Sequence, residues 1–346
     1  MPTDGVYLGV NLDPDRQSLD DAATVLGHRP AVSVVFSDFP PAAADERVVA
    51  RAVEQARVEG AMLLLTLEPY GGLAAVTDGV AADLATRLDG SNRAGVPVVV
   101  RFGEEMNGRW YPWGQQPAAY IDAFRRVAAA VHAGAPGSAM MWAPAYGGGY
   151  PFATPGSREI TAADRTALDT DGDGAVTRFD DPYAPYWPGD DAVDWVGLSL
   201  FHWGDTYPWG ENEVPEPGKF LAQLTGHYVG LGGDDRALPD FYRTYGDQHR
   251  KPVAIAETGA FYAPGAGGAD EAAVKQAWEA QVFDPGLHQR LPRLAMVNWV
   301  EREAQVARTG TLVDWRALHT PAVAAAFRAG LPAWARWAED VPACSR

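Results

Sequence analysis

Two glutamates that end apolar runs of the sequence are candidates for acid–base chemistry. Glu105 closes the run VPVVVRFGEE, and Glu257 closes the run VAIAE just before Thr-Gly. Because side chains alternate along a strand, Glu105 shares a face with Arg101, whereas Glu104 lies on the other face with two of the valines. The apolar face should contact helices. The alternation therefore makes Glu105, rather than Glu104, the catalytic candidate.

Paired carboxyl groups of this kind can cleave a glycosidic bond with retention. One must be protonated to assist the leaving oxygen, and the other attacks the anomeric carbon from about 5–5.5 Å away. We expect Glu105 to be the general acid/base with a raised pKa, and Glu257 to be the ionised nucleophile. Arg101 would orient a carboxylate or keep Glu257 charged. The alternative for Glu257 is a solvated strand end.

A second constellation of chemical groups is an aspartate-rich loop. Residues 169–180 follow the D-x-D-x-D-G pattern of an EF-hand loop, with Gly174 at the sharp turn. The expected calcium ligands are Asp169, Asp171, Asp173, the carbonyl of Ala175 and Asp180. The usual final glutamate is an aspartate here, as in dockerin-like loops. The spacing predicts a structural calcium site, and a solvated acidic loop is the alternative.

The elements that position these groups alternate between strand-like and helix-like segments. Such alternation predicts a parallel sheet, and nearly continuous apolar strands predict that both its faces are covered. We therefore predict a (β/α)8 TIM barrel forming a single catalytic domain, residues 1–346, with the calcium loop inserted before strand 6. The predicted strands are 6–13, 31–39, 61–69, 96–105, 138–145, 193–203, 252–259 and 294–301. The predicted helices are 18–26, 45–58, 80–92, 117–133, 239–248, 270–282 and 320–337.

Polar and aromatic side chains collect at the C-terminal ends of the eight runs. In a barrel of this type the reactive groups lie at those ends, where the loops to the helices begin. The residues are Asn11, Asp13, Asp38, Glu68, Arg101, Glu104, Glu105, Trp142, Ala145, Phe201, His202, Glu257, Trp299 and Glu301. The asymmetry predicts a functional mouth at one end of the barrel.

Composition and charge limit the partners. The net charge of −17 argues against nucleic acid, anionic membranes and acidic polysaccharides, and favours a neutral polysaccharide or oligosaccharide. A single cysteine, Cys344, excludes a disulfide within the chain. A membrane span is not expected, and neither is a signal peptide at the N-terminus. The calcium loop favours a secreted protein whose leader is absent from this chain, with a cytoplasmic protein as the alternative. We expect a monomer.

Several segments of the chain resemble those of a known enzyme family. The segment EEMNGRWYPWG, residues 104–114, is similar to HEMNGxWYPWG, the signature of glycoside hydrolase family 26. Residues 187–191 and 193–197 resemble its approach to the sixth strand, and residues 251–259 resemble its nucleophile strand. The family contains β-mannanases and related β-glucanases and xylanases. The resemblance implies a (β/α)8 barrel and retaining chemistry, with Glu105 as acid/base and Glu257 as nucleophile.

The chain departs from the family pattern at two positions. Glu104 stands where the family has histidine, and Phe201 stands where it usually has a tyrosine near the nucleophile. Phenylalanine cannot donate a hydrogen bond to Glu257. His202 or another group would then replace the tyrosine, or the nucleophile is tuned differently. The departures do not change the reaction class that the resemblance implies. They weaken the inference that this protein shares the family's specificity for mannan.

Aromatic and polar residues near the strand ends are the candidates for sugar binding. The chain has 12 tryptophans and 13 tyrosines, many in loops rich in glycine and proline, where exposed rings could stack on sugar rings. Trp110 and Trp113 have the alternative of bracing their loop from within, and Asn107 has that of holding the turn before Gly108. The full set of expected substrate-binding residues is Arg101, Asn107, Trp110, Trp113, Trp142, Phe201, His202, Trp203 and Trp299.

These observations together predict a retaining glycoside hydrolase that cleaves a β-linked polysaccharide or oligosaccharide. β-Mannan is the first choice of substrate, and β-glucan or xylan the next. The alternative is a catalytically inactive carbohydrate-binding barrel, which the changes at Glu104 and Phe201 motivate. Retention of both Glu105 and Glu257 argues against that alternative.

Overall fold

The computed structural model describes residues 2, 4–153, 159–205, 209–306 and 310–344. Eight parallel strands follow one another around a closed barrel, and the eighth pairs with the first, with Tyr7 opposite Met296 and Leu12 opposite Glu301. The strands are β1 Val6–Leu12, β2 Val32–Asp38, β3 Met62–Glu68, β4 Val98–Phe102, β5 Ser138–Trp142, β6 Trp195–Ser199, β7 Val253–Thr258 and β8 Leu294–Glu301. The predicted TIM barrel is therefore confirmed.

Helices cover the outside of the barrel between the strands. They are α1 Leu19–Leu26, α2 Ala43–Glu59, α3 Asp78–Arg93, α4 Pro117–Gly134, α5 Ala162–Leu168, α6 Lys219–Leu224, α7 Glu271–Val282, α8 Leu287–Arg290 and α9 Pro321–Gly330. A π-helical segment, Tyr242–Gln248, precedes β7. Within the described residues, no helix is both long and apolar enough to cross a membrane.

Local sequence explains where several helices begin. Ser18 caps α1 by accepting from the backbone N–H of Asp21, and the Asp21 carboxylate accepts from the N–H of Ser18 in return. Thr320 caps α9, whose first residue is Pro321. That helix ends before Pro332, since a residue preceding proline disfavours helical backbone, so the predicted helix 320–337 is too long.

Alternation along the strands divides the core into two layers. Val99 packs with Met141 and Met296 in one apolar cluster inside the barrel. Its neighbours Val98 and Val100 belong instead to the cluster between the strands and the surrounding helices. The period of two expected for strands therefore decides which side chains face the barrel axis.

The sequence-based boundaries differ from the structure mainly at strand ends. β4 stops at Phe102 and β6 at Ser199, so Glu105, Phe201 and Trp203 lie in the loops that follow. The short helices α5 and α6 were not predicted, because a helix of six or seven residues carries little periodic signal. α5 runs directly into the predicted calcium loop.

Candidate active site

Side chains from three strands meet at the carboxylate of Glu257. Arg101 on β4 donates from Nη1 to Oε2 at 2.7 Å, and Asn11 on β1 donates from Nδ2 to Oε1 at 2.8 Å. The Glu257 side chain is 13% exposed, so it reaches the mouth of the barrel while both oxygens are held. Two donors, one of them a cation, orient this carboxylate and stabilise its charge.

Arg101 contacts Glu257 and lies beneath the surface of the mouth. Its side chain is fully buried, and its second nitrogen Nη2 donates to Ser199 Oγ at 2.6 Å. A buried guanidinium requires such pairing, because an isolated charge away from water costs several kcal/mol. The burial of Arg101 does not support the prediction that it contacts sugar, and the alternative role of orienting a carboxylate fits the observed contacts.

Glu105 lies just past the end of β4 and is linked to the same network. Trp110 Nε1 donates to Glu105 Oε2 at 2.7 Å, and the hydroxyl of Ser199 lies close to the Glu105 carboxyl. Burial raises the pKa of Glu105, and the nearby charge of Glu257 raises it further. A carboxyl group with a raised pKa is suited to begin a reaction as the acid.

The backbone around Glu105 is a turn that strand alternation does not describe. Glu105 has φ +53° and Gly103 has φ +52°, both in the left-handed region. The Glu105 N–H donates to the carbonyl of Ala143 on the neighbouring chain segment at 3.0 Å, and its carbonyl accepts from Gly108 N–H at 2.8 Å. A left-handed backbone conformation costs free energy at any residue other than glycine, and residues in this conformation cluster at functional sites.

Two predicted sugar contacts in the same loop are internal braces instead. Trp113 is fully buried, donates from Nε1 to the carbonyl of Glu104 at 2.8 Å, and stacks on Tyr111 with ring centres 4.4 Å apart. Asn107 is also fully buried and exchanges two hydrogen bonds with the backbone of Ala145, at 2.8 and 2.9 Å. Neither side chain reaches the mouth.

Trp110 is the residue of that loop that does face solvent. Its side chain is among the exposed large apolar groups of the described chain, at 40%. Its indole N–H is bound to Glu105, and its ring meets Phe152 edge-on at 5.0 Å. An exposed ring fixed beside the acid/base candidate is placed where a sugar ring could stack.

Trp142 and Trp299 point outwards from the barrel, so the prediction that they bind sugar is wrong. Trp142 is fully buried against Trp187 and Tyr245, outside β5. Trp299 is fully buried against Phe283 and Phe327. The physical reason is alternation: each tryptophan follows a residue that faces the barrel interior, Met141 in β5 and Asn298 in β8.

His202 also has a structural role. It is fully buried, its Nε2 lies 2.7 Å from the carbonyl oxygen of Glu213, and its ring packs beside Trp278 at 5.8 Å. Burial lowers its pKa to about 4, which keeps the imidazole neutral. It neither binds substrate nor replaces the family's tyrosine beside Glu257. The donors found on Glu257 are Arg101 and Asn11.

Phe201 and Trp203 belong to an aromatic cluster next to the end of β7. Trp203 lies 4.8 Å from both Trp209 and Trp315, and Phe201 lies 5.1 Å from Trp315. Gly259, just beyond β7, approaches the ring of Trp315 so closely that a Cβ there would lie 3.3 Å from it. Phe201, Trp203 and Trp209 are partly exposed, so this cluster offers apolar ring surface beside the nucleophile strand.

Sequence reasoning missed three residues of the site as functional groups. Asn11 lies one residue before the end of β1 and was named among the polar residues at the strand ends, but its contact with Glu257 was not predicted. Ser199 ends β6, and a lone serine carries no distinguishing signal. Trp315 follows the hairpin of Glu303–Gln305 and Leu312–Asp314, beyond the last barrel strand. Only the closed barrel brings these residues to Glu257 and the aromatic cluster.

The aspartate-rich loop lies between α5 and β6, as predicted. Ligand oxygens of Asp169, Asp171 and Asp173 all lie within 4.8 Å of one another. Asp169 Oδ1 is buried and has no hydrogen-bond partner within the described chain. Three clustered carboxylates with an unsatisfied buried oxygen are a donor set suited to a hard cation such as calcium. Ala175 donates its N–H to Asp173.

Asp180 differs from its predicted role as a ligand. Its carboxylate accepts from the backbone N–H groups of Thr170 at 2.5 Å, Asp171 at 3.2 Å and Thr177 at 2.7 Å. Although burial opposes it, these hydrogen bonds hold the pKa of Asp180 below its usual range. Asp180 therefore closes the loop on itself, and the three other aspartates form the carboxylate cluster.

The chain is similar in sequence or in fold to several known proteins. No protein-family model matches the chain. Endoglucanase H of Acetivibrio thermocellus is 25% identical over 160 residues, which are 44% of this chain and 15% of that protein. An endoglucanase from Thermotoga maritima has TM-score 0.55 at 10% identity, covering 94% of this chain and 96% of that one. The chain is thus a (β/α)8 barrel related in structure to glycoside hydrolases.

Structural neighbours across nearly the whole chain are family 26 endo-β-1,4-mannanases. One is a modular mannanase from Cellulomonas fimi, with TM-score 0.59, 16% identity, and coverage of 98% of this chain and 73% of that one. Another is the catalytic domain of a mannanase from Bacillus sp. JAMB-750, with TM-score 0.55, 15% identity, and coverage of 97% and 88%. The resemblance to family 26 seen in the sequence is therefore confirmed at the level of the fold.

Proposed function

We propose that the protein is a retaining glycoside hydrolase that cleaves a β-linked glycan, with β-mannan as the first candidate substrate. The observation that carries the proposal is the pair at the mouth: Glu257 held by Arg101 and Asn11, and Glu105 held by Trp110 with a raised pKa. The family 26 mannanases that share the fold support the choice of mannan, and β-glucan or xylan comes next.

The two glutamates would divide the reaction as follows. In the first step a carboxylate oxygen of Glu257 attacks the anomeric carbon, while Glu105 gives its proton to the glycosidic oxygen that leaves. In the second step Glu105, now ionised, takes a proton from water, and that water releases the sugar from Glu257. Arg101 balances the charge of Glu257 before attack and after release.

The proposal is tested by product release from β-mannan, β-glucan and xylan, comparing wild type with Glu257→Gln. Cleavage of one polymer by wild type, and loss of that activity in the variant, is the expected result. Glu54→Gln, on the exposed face of α2, is the matched control and should cleave as wild type does. NMR should show the β-anomer forming first, because two displacements retain configuration.

Two other outcomes would contradict the proposal. Equal cleavage by wild type and Glu257→Gln would remove Glu257 from the chemistry. Binding of a glycan by both proteins, with no product from any polymer, would favour a carbohydrate-binding barrel.

We also propose that the loop of residues 169–180 binds calcium as a structural ion. The cluster of Asp169, Asp171 and Asp173 supports this, together with the unpartnered oxygen of Asp169. Bound calcium would neutralise the repulsion among the three carboxylates and hold the connection between α5 and β6. A calcium-dependent loop favours a secreted enzyme, because the ion is abundant outside the cell. We propose separately that the enzyme acts on glycan as a monomer.

A further inference from the structure

Glu104, the residue that replaces the family's histidine, is a buried carboxyl group without an ordinary donor. Its side chain is 1% exposed. Apart from its own backbone N–H, no donor within the described chain bonds to either of its oxygens. An ionised carboxylate in such a place would cost several kcal/mol, so the group needs either a cation or a proton.

The charges around Glu104 do not supply a free cation. Arg101 acts on it, but Nη1 of that guanidinium bonds to Glu257, Nη2 bonds to Ser199, and Nε makes no hydrogen bond within the described residues. The other titratable groups that face Glu104 or its neighbour Glu68 are acids and phenols. They are Asp38 at the end of β2, Tyr70 after β3, Glu105 and Tyr111 after β4, Tyr120 on α4, and Glu257 on β7.

A second carboxyl group lies against Glu104. Glu68 ends β3, and the N–H of Gly103, which precedes Glu104, donates to the carbonyl of Leu67 at 2.9 Å. The register of β3 and β4 therefore brings the two glutamates together, and their carboxyl groups lie close enough to interact. Two carboxyl groups in contact can form a hydrogen bond only if one of them carries a proton.

Glu68 differs from Glu104 in being partly exposed. Tyr70 donates its hydroxyl to Glu68 Oε1 at 3.2 Å, and Glu68 is close enough to Glu257 for the two charges to repel. Glu68 therefore lies at the same mouth as the catalytic pair. Its remaining acceptor capacity is available to a ligand there.

We propose that Glu68 and Glu104 share one proton, and that Glu68 thereby forms a sugar-hydroxyl contact of the active site, with Glu104 as its positioning residue. The second part rests on the proposed function. Glu104 carries the proton, donates it to Glu68, and leaves Glu68 as an oriented, negatively charged acceptor. A hydroxyl of the bound glycan donates to that acceptor. Burial raises the pKa of Glu104 well above its usual range and also raises that of Glu68, which agrees with a retained proton.

The shared proton is tested without any substrate. Infrared difference spectra at neutral pH should contain the carbonyl stretching band of a protonated carboxylic acid, and that band should disappear in Glu104→Gln. Glu105, Glu279 and Glu301 are further protonated candidates, because burial raises the pKa of each. Replacing each of these three by glutamine serves as the control that assigns its band separately. A spectrum in which Glu104→Gln removes no such band would overturn the shared proton, whatever the activity.

The substrate contact is tested by kinetics on the polymer that the enzyme cleaves. Glu68→Gln should raise KM about tenfold or more, with a smaller effect on kcat, because a charged acceptor for a sugar hydroxyl is lost. Glu104→Met removes the donor and should raise KM similarly. Glu104→Gln supplies an amide donor in place of the acid and should recover most of that loss.

The pH dependence of KM distinguishes a Glu104 that positions Glu68 through its proton from a Glu104 that only fills space. In wild type, KM should rise on the alkaline side as the pair loses its proton, and in Glu104→Gln that rise should move to higher pH or vanish. Equal losses in Glu104→Gln and Glu104→Met, with an unchanged pH profile, would overturn the positioning role. If no polymer is cleaved, the infrared result still decides the shared proton, so failure of the proposed function remains distinguishable.

Discussion

Arg101 contacts a candidate catalytic group from beneath the mouth of the barrel and does not itself reach solvent. It is buried, and it donates from Nη1 to Glu257 and from Nη2 to Ser199, whose hydroxyl lies close to Glu105. A single guanidinium and a single hydroxyl therefore lie between the two candidate catalytic carboxyl groups. Lysine has no planar fork and could not make both contacts in the same geometry.

Arg101→Met should lower kcat by about a hundredfold or more, because Glu257 loses its cation and its orientation. It should also destabilise the fold by about 3–5 kcal/mol, since an unpaired carboxylate remains in a buried site. Steady-state kinetics and thermal unfolding measure the two effects. Arg57→Met, on the exposed face of α2, is the matched control and should change neither. Wild-type kcat in Arg101→Met would contradict the role assigned to the network.

Trp110 tunes Glu105 through a single hydrogen bond. The indole N–H favours the ionised form of Glu105, so it lowers a pKa that burial has raised. In Trp110→Phe the pKa should rise further, and the alkaline limb of the kcat/KM profile should move up by about 0.5–1 pH unit. A pH profile measures this. Trp337→Phe, which removes an indole stacked on His28 elsewhere, is the control and should leave the limb in place. An alkaline limb that moves down in Trp110→Phe would contradict the assignment.

At the scale of elements, the connection from β4 to α4 and the loop before β6 are held together in different ways. The first is held from within by Trp113 and Asn107, which leaves Trp110 free to face the mouth. The second has Asp180 bonded to its own backbone, but its three other aspartates repel one another. The two connections therefore differ in whether their polar groups are all satisfied from within the chain.

Chelation of calcium should lower the melting temperature of the protein, because an ion that binds only the folded state stabilises it. At a calcium concentration 100 times Kd, binding raises the free energy of unfolding by about 2.7 kcal/mol. Differential scanning calorimetry with calcium and with chelator measures it. Asp171→Asn should lower the melting temperature and abolish the response to calcium.

The matched control for the loop is Asp83→Asn on the exposed side of α3, which should respond to calcium as wild type does. A melting temperature that is the same with calcium and with chelator would show that the loop does not depend on the ion. Activity at saturating substrate should change little at temperatures where the fold is intact, because the aspartate cluster supplies no group to the proposed reaction.

At the scale of the whole molecule, the net charge of −17 should act on association with substrate. Cleavage of a neutral polymer should be nearly independent of ionic strength. The same polymer carrying carboxymethyl groups should be cleaved more slowly at low salt and should recover as salt screens the repulsion. Initial rates across a salt series on both polymers measure this. Faster cleavage of the carboxymethyl polymer at low salt would contradict a preference for neutral glycan.

The sequence by itself determined the order of the strands, the closed parallel barrel and the ends at which functional groups collect. These features follow from local patterns: apolar runs of strand length, helical periodicity between them, and polar residues where the runs stop. The alternation of side chains along a strand also predicts that Trp142 and Trp299 point outwards, since each follows a residue that faces the barrel interior. Applied to every strand, the same rule would have excluded both from the mouth.

The tertiary structure decided which side chains meet. Asn11 and Arg101 lie 246 and 156 residues away from Glu257 along the chain, and only barrel closure and strand register bring them to its oxygens. The left-handed turn at Glu105 ends the alternation on which its placement was argued. The contact of Glu104 with Glu68 depends on the pairing of β3 with β4. Such contacts have no local signature, because their free energy depends on groups that the chain brings together only when it has folded.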